Sequence, residues 1–138
     1  MQENSFLLTN RHLRDLNPVI AGTHDCDPGY GIQPAIRKYT LIHFVFRGKG
    51  TLFARGDAYP VQAGQAFVIR RDEIANYRAD EKDPWYYCWV GFQGTAAAKI
   101  VESIGFTSQT PVLSFKDGAG IEKKIMDMLG SLSLTLDG

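Results

Sequence analysis

Between Ile36 and Phe92 the chain is a succession of short apolar runs, each cut off by glycine, aspartate or a charged turn. The runs are "IRKYTLIHFVFR" (36–47), "TLFA" (51–54), "AYPVQ" (58–62), "AFVIR" (66–70), "IANY" (74–77) and "WYYCWVGF" (85–92). "GKG" (48–50), "RGD" (55–57), "AGQ" (63–65) and "RDE" (71–73) turn the chain between them, and "ADEKDP" (79–84) is a polar loop. Short strands at intervals of roughly 8 to 12 residues, with glycine and aspartate between them, predict a β-sandwich or barrel.

The first run is apolar on both faces, with Leu41, His43 and Val45 on one and Ile42, Phe44 and Phe46 on the other. Strands buried on both sides read this way. Before Ile36 the pattern is looser: "DPGYG" (27–31) is a loop, and "FLLT" and "VIAGTH" are short edge strands. After Phe92 the period changes. "TAAAKIVESIG" (95–105) predicts a helix capped by Thr95 and stopped by Gly105, with Ile100, Val101 and Ile104 as its apolar stripe. "GIEKKIMDMLGSL" (120–132) repeats the pattern with Ile121, Ile125, Met128, Leu129 and Leu132 on one side. The expected organisation is one structural domain, residues 1–93 forming a barrel and 94–138 a helical segment.

Composition narrows the function. A chain of 138 residues is long enough to bury a real core. Fifteen basic and fifteen acidic side chains cancel, which argues against a stand-alone nucleic-acid binder. No apolar run is long enough to cross a membrane, and "MQENSFLLTNRH" lacks the pattern of a signal peptide. Cys26 and Cys88 have no metal spacing and read as reduced thiols of a cytoplasmic protein.

Catalytic chemistry finds little support. A catalytic metal in a small barrel needs two or three histidines and a carboxylate. The chain has only His12, His24 and His43, and "LIHFVF" carries neither a second histidine nor a glutamate. No metal, cofactor or catalytic residue is therefore expected. Cys88 alternates away from Trp85, Tyr87 and Trp89, as a core thiol would. Trp85, Tyr87 and Trp89 share one face, with Tyr77 nearby. Such residues are either plain core or the floor of a pocket with one wet end. With Arg37, His24 and His43 they would suit a polar molecule with apolar faces, such as a sugar.

"CDPGYGIQPAIR" (26–37), "YTLIHFVFRGKGTLF", "YPVQAGQAFVIRRDEIANY" and "DPWYYCWVGFQG" with its Ala-rich helix together resemble the N-terminal regulatory domain of AraC-type transcription regulators, in the sugar-metabolism branch. The resemblance covers about residues 20 to 110. It implies a cupin-like double-stranded β-helix (jelly-roll) barrel that binds an effector without metal, followed by C-terminal α-helices that pair two subunits. In arabinose-responsive members the ligand is held by an arginine, a tyrosine, a histidine and a tryptophan. Carried onto this chain, the tyrosine is Tyr77, the tryptophan Trp89, and the arginine corresponds loosely to Arg37. Tyr87 stands where the histidine is expected, and a phenol offers different hydrogen bonds. A small polar residue of the early strand falls on Thr23 or His24.

The resemblance thus implies the effector-sensing and homodimerisation domain of a regulator, binding a sugar-like metabolite through Trp89, Tyr87, Trp85, Tyr77, Arg37, His43, His24 and Thr23. The helix-turn-helix half of such regulators has no counterpart here, so DNA contact is expected only through a part outside this chain. The segment before Ile36 is the expected moving element. The rival expectation is a small cupin enzyme acting on a sugar or small acid, with His43 as base or partial metal ligand.

Overall fold

The computed structural model describes residues 16–120, the backbone of residues 2–7, and Lys123 and Asp127. Its strands are β1 (Gln2–Leu7), β2 (Asn17–Asp25), β3 (Thr40–Arg47), β4 (Lys49–Ala54), β5 (Asp57–Gln62), β6 (Gln65–Ile69), β7 (Ala75–Ala79), β8 (Tyr86–Gln93) and β9 (Val112–Ser114), with one helix, α1 (Ala97–Ile104). They form a six-stranded sheet ordered β1-β2-β8-β3-β6-β9 and a three-stranded sheet ordered β5-β4-β7. Every strand pairing is antiparallel. The spacing of turns and runs predicts a sandwich or barrel, and this is the mainly β, cupin-like jelly roll that the resemblance implies.

The inner faces of the two sheets enclose the main core, which includes Leu41, Val45, Leu52, Phe67, Ile69, Tyr77, Trp85 and Tyr87. β3 is buried on both sides because its outer face carries Ile42 into a second cluster with Val68, Phe92, Ala97, Val101 and Phe106. α1 therefore packs on the back of the large sheet, which explains why the first run shows no polar face.

The turns follow from backbone chemistry. Ala54 and Asp57 are paired across β4 and β5, leaving Arg55 and Gly56 as a two-residue hairpin loop. Both have positive φ, 52° and 80°, as a type I′ turn requires. At Gly50 an added Cβ would lie 2.5 Å from the Trp85 ring, so the absent side chain is what lets the indole reach β4.

Three expectations need correction. β2 is not an edge strand, because β1 and β8 flank it. Thr95 does not cap α1: the cap position is Ala96, which makes no side-chain cap bond. The helical segment also contains β9, which returns to pair with β6 and was not foreseen. Along α1, Ala97 and Val101 are buried, whereas Ile104 is 50% exposed. His12 and nearly all of the second helix expected over 120–132 lie outside the described residues.

Candidate functional site

Strand register assembles the site. On β8, Tyr87 lies opposite His24 of β2 and Val45 of β3, while Trp89 lies opposite His43. His43 is in turn opposite Phe67 of β6. Because side chains alternate, His24, His43, Tyr87 and Trp89 all face the space between the sheets. Tyr77 comes from β7 of the facing sheet, opposite Leu52.

The segment leading into β3 supplies the remaining wall. Its backbone runs along the free edge of β7, with Ala79 N–H donating to Tyr30 O at 2.7 Å and Ile32 N–H to Tyr77 O at 3.1 Å. Arg37 O accepts from Asp72 N–H at 2.9 Å, which ties that end to the β6–β7 turn. The segment expected to move is thus hydrogen-bonded to the small sheet along part of its length.

These residues bound a cavity of about 150 Å³, lined by His24, Tyr30, Arg37, Tyr39, Leu41, His43, Tyr77, Tyr87 and Trp89. By the volume one water occupies in the liquid, that is space for about five waters. Wider grooves of about 610 and 940 Å³ lie along the small sheet, but none of the expected site residues lines them. Trp89, Tyr87, Tyr77, Arg37, His43 and His24 meet at the cavity as the sequence reading grouped them.

Two candidates do not line it. Thr23 is in register with Cys88, on the opposite face of β2 from His24. Trp85 precedes β8 and is fully buried beneath the cavity residues, its Nε1–H donating to Val61 O at 3.1 Å. Tyr30 and Tyr39 were missed. Period-2 alternation with Leu41 and His43 marks Tyr39, whereas nothing in the pattern of "DPGYG" distinguishes Tyr30 from a surface turn residue.

Tyr87 is the hub of the aromatic wall. Its ring meets His24, His43 and Tyr77 nearly edge-on, with centroids 5.8, 4.9 and 6.1 Å away. Its hydroxyl lies 3.4 Å from His24 Nδ1 and also shares a hydrogen bond with Tyr77. Burial raises the pKa of Tyr87 and pushes Tyr77 up to about 12, so both remain neutral phenols. His43 is lowered from 6.5 to about 3, first by burial and then by the charges of Arg37 and His24. It is a neutral imidazole, stacked on Phe67 at 4.4 Å.

Two polar atoms of the wall are buried without a hydrogen-bond partner: His43 Nδ1 and Arg37 Nη1. Buried polar atoms are normally satisfied by protein or by ordered water. The groups present can stack on a ring, donate from Arg37, and both donate and accept through tyrosine hydroxyls. Among the described residues there is no group of three His, Cys, Asp or Glu side chains able to hold a metal ion.

The AraC-like ligand binding domain family matches residues 17–137. The chain belongs to that family. It is 38% identical over 88 residues to the Msm operon regulatory protein of Streptococcus mutans serotype c, covering 64% of this chain and 32% of that protein. It is 25% identical over 127 residues to the lactose operon transcription activator of Staphylococcus xylosus, covering 92% and 45%. A third relative, the raffinose operon transcriptional regulatory protein RafR of Pediococcus pentosaceus, is 33% identical over 78 residues, covering 55% and 28%. The chain thus spans less than half the length of these relatives. In fold it is similar to YhaK of Escherichia coli, with a TM-score of 0.64, 11% identity, and 83% of this chain and 52% of that one covered. No helix among the described residues is long and apolar enough to cross a membrane.

Proposed function

We propose that this AraC-like domain senses a sugar-like metabolite in the cavity between its sheets and transmits binding to a DNA-binding part of a longer regulator. One observation carries the reading. An aromatic-walled cavity of about 150 Å³ presents buried polar atoms, His43 Nδ1 and Arg37 Nη1, that have no protein partner. Relatives named for the Msm, lactose and raffinose operons support a sugar as the effector class.

In this reading a sugar ring stacks on Trp89, its hydroxyls bond Tyr77, Tyr87 and His24, and Arg37 anchors one end. The site works by binding, without a catalytic residue, in a cytoplasmic regulator. Ligand shifts regulation only by its difference in affinity between two conformations of the protein. The segment 29–37 is suited to report it, since it carries Tyr30 and Arg37 while its backbone rests on β7.

Calorimetric titration of Trp89→Ala with a panel of neutral and acidic monosaccharides tests the reading. Binding seen for the wild type is expected to be lost while the melting transition persists. Equal affinities for the two proteins would overturn it. Two copies would pair through α1, with its exposed Ile104, and the 120–132 segment. Sedimentation showing a strict monomer at high concentration removes that part alone.

A further inference from the structure

Four tyrosines line the cavity, and their hydroxyls are not equivalent. Those of Tyr77 and Tyr87 share a hydrogen bond, and Tyr87 Oη also lies 3.4 Å from His24 Nδ1. A ligand reaching that pair enters a network whose members already hold one another. Tyr39 differs. It is half-buried, and its side chain makes no hydrogen bond with a described residue. Its phenol keeps one donor and two acceptor positions open.

That phenol is held from two directions. Along the backbone, Arg37 O accepts from Asp72 N–H at 2.9 Å and Thr40 Oγ1 accepts from Arg71 N–H at 3.4 Å, one on each side of Tyr39. Across the sheet, its ring lies on Gly91, the next residue on the inner face of β8 after Trp89. Gly91 is paired with Leu41 on one side and Ile20 on the other. A Cβ added there would lie 3.0 Å from Tyr39 Cδ2, 3.1 Å from Leu41 Cδ2 and 2.6 Å from Ile20 Cγ2. Glycine inside a strand often marks such a close approach. The ring of Tyr39 packs where a side chain on β8 would stand, so the phenol loses little freedom on binding.

Register sets where this hydroxyl group stands relative to the others. Tyr87, Trp89 and Gly91 follow one another on the inner face of β8, spanning about 13 Å of backbone at the usual rise per residue. Tyr87 with His24 therefore closes one end of the cavity, Tyr39 the other, and Trp89 lies between them. We propose that Tyr39 is a specificity-determining contact of the effector site, its hydroxyl bonding a sugar hydroxyl at the end away from Tyr87. This rests on the sensing reading and names the residue that selects among sugars within it. A site that hydrogen-bonds one particular hydroxyl discriminates against the analogue lacking it. Gly91 acts as a positioning residue, through the ring of Tyr39.

The test is calorimetric titration with galactose, glucose, mannose and their uronates, then with the monodeoxy analogues of whichever sugar binds. Tyr39→Phe keeps the ring over Gly91 and removes only the hydroxyl. It should weaken the parent sugar about fivefold, the worth of one neutral hydrogen bond, with the melting transition unchanged. One monodeoxy analogue, and no other, should bind wild type and Tyr39→Phe equally, which identifies the sugar hydroxyl that Tyr39 meets. Gly91→Ala should erase the same discrimination, and adding Tyr39→Phe to it should weaken binding no further. Losses that add, or that fall on all analogues alike in Gly91→Ala, overturn the part assigned to Gly91. Tyr39→Phe binding the parent as tightly as wild type, or weakening every analogue to the same degree, overturns the inference and leaves the sensing reading standing. No saturable binding of any of the six sugars to the wild type overturns both.

Discussion

The imidazole of His43 lies flat on the ring of Phe67, 4.4 Å between centroids and 8° from parallel, on strands that pair the two residues directly. Trp89 lies 6.2 Å away at 29°, so the histidine sits between two aromatic planes. Burial in this position fixes its charge: protonation is disfavoured first by desolvation and then by Arg37 and His24.

That burial has a consequence for stability. His43 takes its proton near pH 6.5 in the unfolded chain but only near 3 when folded. Its contribution is therefore fully present above about pH 6.5 and is lost as pH falls toward 3, where the unfolded state binds the extra proton. The slope approaches about 1.4 kcal/mol per pH unit, or about 2 kcal/mol between pH 7 and 5. Urea denaturation of wild type and His43→Phe at the two pH values checks this. The wild type should lose about 2 kcal/mol more than the variant. Parallel losses would show that the imidazole is protonated inside the fold.

Trp85 and Trp89 are four residues apart on one face, yet they should respond to mutation in opposite ways. Trp85 is fully buried and donates to Val61 O, whereas Trp89 lines the cavity. Trp85→Phe removes the indole donor to Val61 O and leaves a void where the indole met Gly50. The expected loss is about 3 kcal/mol in denaturant melts, with ligand affinity of the folded protein kept. Trp89→Ala should reverse the pattern. A binding defect in Trp85→Phe at full stability would mean that the cavity extends beneath Tyr87.

The contrast also marks how far sequence reasoning reached. Alternation placed both tryptophans on the inner face and could go no further, because depth along a strand depends on what the facing sheet puts opposite. Gly50 opens the space that Trp85 fills, and that pairing joins residues with no sequence relationship to each other. Thr23 fails for a simpler reason: its strand is paired so that His24, one residue on, takes the inner face. The barrel itself was legible, since turn residues such as Arg55-Gly56 and runs such as β3 are local signals. β9 was not, being three residues whose strand identity comes from the free edge of β6.

The hairpin at Arg55-Gly56 poses a contest of magnitudes. Arg55 sits at φ 52°, where asparagine is better tolerated, so Arg55→Asn should relieve about 1 kcal/mol of backbone cost. The same change removes the cation 3.7 Å from Glu73, whose side chain is only 12% exposed and whose Oε1 is buried without a partner. Stranding that carboxylate costs about 1–3 kcal/mol, which outweighs the relief. Arg55→Asn alone should therefore lower stability by about 1 kcal/mol, contrary to what the turn preference suggests. Adding Glu73→Gln removes the charge that was stranded, and the double variant should melt at or above the wild type. Thermal melts of the four proteins in the cycle decide it. A single variant more stable than wild type would show that the ion pair contributes nothing and that turn geometry governs this corner of the barrel.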